Sequence, residues 1–77
     1  MTEFTLIDNA APDPKNPGVT MTVATQGDLD AIIGYLDEHV RPEVPPEDID
    51  AAIAYLRGHR YNEATGALAL LDVELQV

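Results

Sequence analysis

The chain has no cysteine, no serine and no tryptophan, and its single lysine is Lys15. Without cysteine there are no disulfides and no thiolate metal sites. Without serine and cysteine the commonest catalytic nucleophiles are gone, and only threonine, Lys15 and carboxylates remain. The five glycines are scattered, so no glycine-rich loop can cradle a phosphate. Apolar runs such as ALALL, residues 67–71, fall far short of the ~20 residues that a membrane-spanning helix needs. The opening MTEFTLID has neither a basic region nor a long apolar run, so no secretory signal and a cytoplasmic location are expected. Aromatic residues are limited to Phe4, Tyr35, Tyr55 and Tyr61, which leaves Leu, Ile, Val, Ala and Met to build the core.

Cations are scarce as well. Fourteen acidic residues face Lys15, Arg41, Arg57 and Arg60, for a formal net charge of −10. A phosphate backbone is repelled by such a surface, so direct nucleic-acid binding is not expected. A basic protein is attracted and its encounter speeded. Solubility, or an acid-rich proteome, is the simplest reading of the charge; mimicry of nucleic acid is the sharper one. With 77 residues and 45% hydrophobic composition, the expectation is one small folded domain that buries about 60% of its unfolded surface.

Period-two alternation places strands at 2–7, with Phe4 and Leu6 on one side, and at 19–25, where Val19, Met21 and Val23 alternate with Thr20 and Thr22. Between them DNAAPDPKNPG reads as a loop, so residues 1–25 form a strand–loop–strand unit. Leu29, Ile32, Ile33, Leu36 and Val40 make one helical stripe over 28–40, with Thr25 as the expected cap. RPEVPPE ends it. A second helix, with Pro45 or Pro46 at its first position, carries Ile49, Ala52, Ile53 and Leu56 and stops at Gly58. Asn62 is the expected cap of a short third helix reaching about Leu70, and the alternating LDVELQV that follows reads as a strand. That strand either joins the N-terminal hairpin or pairs with another copy. The expected fold is therefore small α+β: a β-hairpin on a duplicated helical pair (26–61), closed by a short helix and strand (62–77). A mostly α three-helix bundle is the alternative.

The helical pair is a repeat. DLDAIIGYLDEHVRPE from Asp28 and DIDAAIAYLRGHRYNE from Asp48 agree at eight of sixteen positions, both histidines and two tyrosines included. Asp28, Tyr35 and His39 fall on one flank of the first stripe, and Asp48, Tyr55 and His59 on the same flank of the second. Antiparallel packing of the two would bring His59 to Asp28 and Asp30, and His39 to Asp48 and Asp50. Residues 47–60, EDIDAAIAYLRGHR, resemble a helical segment of some small bacterial antitoxin-like domains, and the turn after Gly58 resembles that of ubiquitin-associated three-helix domains. Neither resemblance extends to the rest of the chain, and no residue role is carried over from them.

His39 and His59 suggest a metal, but a helix length between them bars a shared ion, and helix-end histidine is the simpler role. No calcium-loop spacing occurs. No catalytic, cofactor or metal residues are assigned, and no enzyme activity is expected. The expected function is an acidic, non-catalytic protein–protein interaction module: an inhibitor or accessory factor, of the phage or bacterial kind, that binds a basic surface such as that of a nucleic-acid-binding protein. The candidate contact residues are Asp28, Asp30, Tyr35, Asp37, Glu38, Asp48, Asp50, Tyr55 and Tyr61; the simpler reading of the tyrosines is that they cap the edge of the core. A self-assembling structural subunit that uses its C-terminal strand is the alternative.

Overall fold

The computed structural model of the chain describes residues 3–76. Strand β1 runs from Phe4 to Pro12 and β2 from Thr20 to Gly27, paired antiparallel. Phe4 and Leu6 turn inward and are buried, as their alternation predicts. β1 does not stop at Ile7. It continues through the residues expected as loop because a bulge absorbs the mismatch. Asp8 stands opposite Val23 and Ala11 opposite Met21, so Asn9 and Ala10 face Thr22 alone. The remaining turn is closed by Asp13, whose N–H donates to the Val19 carbonyl at 3.0 Å. The Asp13 carboxylate accepts from the Asn16 amide and the Lys15 N–H, both at 2.9 Å. These bonds hold it below the usual carboxylate range, Asn16 contributing most. Gly18 supplies the positive φ of 84° that the turn requires.

Strand β3, Val73–Gln76, pairs antiparallel with the other side of β1, giving the order β2-β1-β3. The alternating tail thus joins the hairpin, with Val73 and Leu75 buried and Glu74 and Gln76 exposed. Thr2 and Val77, expected in the outer strands, lie outside the described residues.

Helix α1, Leu29–Tyr35, is capped by Asp28, whose Oδ1 accepts from the Ala31 N–H at 2.9 Å. Thr25 cannot cap it, because β2 runs on to Gly27 and holds Thr25 opposite Leu6 in the ladder. Gly27 allows the close approach of helix to strand: a Cβ there would stand 2.7 Å from that of Ala31. The helix then widens into one π-helical turn, Leu36–Val40, in which the Arg41 N–H donates to the Leu36 carbonyl, followed by a 3₁₀ turn at Arg41–Glu43. Helix α2, Pro46–Arg57, starts with proline at its first position, as read from the sequence.

The left-handed residue after α2 is not Gly58 (φ −85°) but His59, at φ 58°. Helix α3, Tyr61–Ala69, has Arg60 rather than Asn62 in its cap position. Its start is set by packing, since the Tyr61 ring lies 5.3 Å from that of Phe4. Asp72, between α3 and β3, is a second left-handed residue, at φ 59°.

The predicted stripes meet in one core. Leu6, Ile32, Leu36, Ile49, Leu56, Leu68 and Val73 are fully buried, each contributing about 1.5–3 kcal/mol over an exposed position. The two repeat copies bury equivalent residues but pack differently, for α2 lies chiefly on α3 and touches α1 lightly. The expected Asp–His pairs do not form. His39 packs at a tilt against Tyr35, His59 meets the Tyr61 hydroxyl, and Asp50 goes to Arg41. None of the described helices is long and apolar enough to cross a membrane.

Candidate functional site

The helices do not cover the far half of the hairpin. On the side of β2 that faces them, Val23 is half-buried, Met21 is 39% exposed and Val19, just before the strand, 52%. The space between this overhang and the π-helical turn is a groove of about 450 Å³. Its floor is strand: Ala11 and Pro12 from β1, Met21 and Val23 from β2. Its wall is the end of the first helix: Tyr35, Glu38, His39, Pro42 and Glu43. π-helical turns of this kind recur at functional sites.

Asp8 sits where floor meets wall. It is 4% exposed and is the one buried charged residue among those described. Its Oδ2 accepts from the Tyr35 hydroxyl at 2.9 Å, and its Oδ1 from the Ala10 N–H at 3.1 Å. The second bond explains how the bulge survives. Ala10 lies outside the strand ladder, and its N–H turns to the carboxylate, while the Asn9 N–H reaches the Asp72 carbonyl at 3.0 Å. The first bond ties the hairpin to α1. Burial, and then the hydrogen bond to Asp8 and its charge, push the Tyr35 hydroxyl up to about 12. The Tyr35 ring also packs against His39, with centroids 4.8 Å apart.

The groove is one-signed. Asp8, Glu38 and Glu43 line it, and no lysine or arginine does. Arg41 points away, bridging Asp37 of the π turn and Asp50 of α2 at 2.8 Å each. Asp50 first, and then Asp37, raise the guanidinium above its ordinary value. Arg60 pairs with Glu63 at 3.3 Å and lies over the Tyr55 ring, 5.8 Å from its centroid.

The residues singled out from the sequence scatter over the surface. Tyr35 and Glu38 line the groove. Asp28 is spent on its cap, and Asp30 is exposed in the same first turn. Asp37 and Asp50 are bound to Arg41. Asp48 and Tyr55 share a separate hollow of about 390 Å³ with Glu63 and Leu70, on α2 and α3. Tyr61 is held by Phe4 and by His59 Nδ1, 2.7 Å from its hydroxyl. All three tyrosines pack against the core.

Sequence reasoning missed Asp8, Met21 and Glu43. The signal for Asp8 was present: after Phe4 and Leu6, the same alternation puts an acid on the inward face. Among the described residues, no three histidine, aspartate or glutamate side chains converge as a metal ion would need. No protein-family model matches the chain, and neither a curated protein nor a solved structure emerges as similar to it.

Proposed function

We propose that the chain is a small acidic protein-interaction module without catalytic activity, whose partner presents a basic or mixed surface. The observation that carries this reading is the groove: an apolar strand floor and three carboxylates, with no lysine or arginine among the described residues lining it to balance them. The wider surface supports it, since fourteen acids face four cations and two of the four, Arg41 and Arg60, are already paired within the chain. On this reading the module is an inhibitor or accessory factor of the phage or bacterial kind. It acts in the cytoplasm, a setting consistent with a chain free of cysteine.

The test is capture of the partner from host lysate, followed by measurement of Kd for the purified pair at rising salt. The Debye length shrinks from about 30 Å at 0.01 M to about 3 Å at 1 M. Charge-led recognition therefore predicts steady weakening across that range, and a Kd indifferent to salt refutes it.

A further inference from the structure

The sheet has two outer edges, and they are unlike. β3 is four residues long and carries Glu74, with Asp72 just before it. Shortness and charge are ordinary defences of an edge strand against unwanted pairing. β2 has neither. Its eight residues, TMTVATQG, include no charge and no proline, and among the described residues its backbone pairs only with β1. The outward row of N–H and C=O groups is a template for another strand. Met21 within it and Val19 beside it are two of the three large apolar side chains left exposed among the described residues.

Edge and groove belong together, because Met21 and Val23 are at once β2 residues and groove floor. A strand added beside β2 turns alternate side chains to that same face, next to Met21 and Val23. An apolar side chain there extends the floor. A lysine or arginine lays its stem over the floor and brings its charge toward Glu38 and Glu43. A second copy of this chain is a poor occupant, since it also carries a net charge of −10 and its β2 has no cation to offer.

We propose that the free edge of β2 is the docking site, and that it takes an extended, basic segment of a partner protein as a fourth strand, with apolar side chains over Met21 and cations against Glu38 and Glu43. The inference rests on the charge-led reading above and adds the place and the mode of contact.

The experiment uses the full chain and two short synthetic peptides. One alternates Lys and Val. The other has the same sequence with every backbone nitrogen methylated, which keeps the charge and removes the N–H donors. The first is expected to bind and the second to bind about tenfold more weakly or worse. Met21→Lys is expected to weaken the first peptide about tenfold, whereas Leu70→Lys, the same charge change at a distant exposed site, shifts it by less than about twofold. Glu38→Gln with Glu43→Gln, at exposed positions, is expected to weaken it several-fold and keeps the test open should Met21→Lys not fold.

Equal binding of the two peptides overturns the strand-addition proposal and leaves charge-led recognition standing. Binding of neither at low salt overturns both. A doubled mass without peptide, abolished by Met21→Lys, gives the edge to a second copy and overturns the proposal too.

Discussion

Replacing Tyr35 by Phe removes one oxygen and leaves the ring on His39 in place. What is lost is a 2.9 Å hydrogen bond to the buried carboxylate of Asp8. A hydrogen bond to a charged group contributes about 1.5–3 kcal/mol net, and the half-buried position of Tyr35 argues for the low end, about 1.5 kcal/mol. Asp8→Ala removes the same bond and also strands the Ala10 N–H, so it should cost about 3 kcal/mol.

Because the Tyr35–Asp8 bond is shared, the double variant should cost little more than Asp8→Ala alone, with a coupling of about 1.5 kcal/mol. A chain of this length unfolds with an entropy of about 0.16 kcal/mol/K, so Tyr35→Phe should lower Tm by about 9 °C. Thermal and urea melts followed by circular dichroism, on the two single variants and the double, measure the cycle. A coupling under about 0.3 kcal/mol would show that Asp8 and Tyr35 do not tie the bulged hairpin to α1, and the account of how the groove is held would fail.

Other outcomes follow from the same geometry. In a spectroscopic pH titration one tyrosine should ionise late, near the value of about 12 to which Tyr35 is pushed, and Asp8→Asn should bring it earlier by removing the charge. Tyr35 holds its proton more tightly folded than unfolded, so its contribution to stability is fully present below its ordinary value of 10 and is lost as pH rises to about 12. Tyr35→Phe should flatten that part of the stability curve. Asp28→Ala should cost about 1 kcal/mol by removing the α1 cap, and Thr25→Ala clearly less, in denaturant melts. Asp72→Gly should stabilise by about 0.5–1 kcal/mol, because glycine accepts the left-handed backbone without strain.

Helices were legible where one face is apolar. Ile32, Ile33, Leu36 and Val40 of the first copy, and Ile49, Ala52, Ile53 and Leu56 of the second, are buried as their spacing requires. The alternating tail was legible as strand for the same reason. Helix ends were less so, since they answer to tertiary demands. Asp28 caps α1 because β2 keeps Thr25, and α3 starts where Tyr61 meets Phe4.

The repeat misled as to partners. Matching Asp and His positions suggested matched pairs, but α2 turned to α3 and Arg41 took the carboxylates. The groove was the least legible feature. It depends on a bulge that no local propensity announces, and on a buried acid in a segment whose prolines read as loop. Nor does alternation alone reveal that Val19 and Met21 lie beyond the reach of the helical layer.

The most direct measurement is a titration of isotopically labelled protein with the Lys–Val peptide, followed amide by amide in NMR spectra. Shifts concentrated at Thr20–Gly27 and at Glu38–Glu43 are expected. No shifts, or shifts centred on Asp48, Glu63 and the α2–α3 hollow, would refute docking on the free edge of β2.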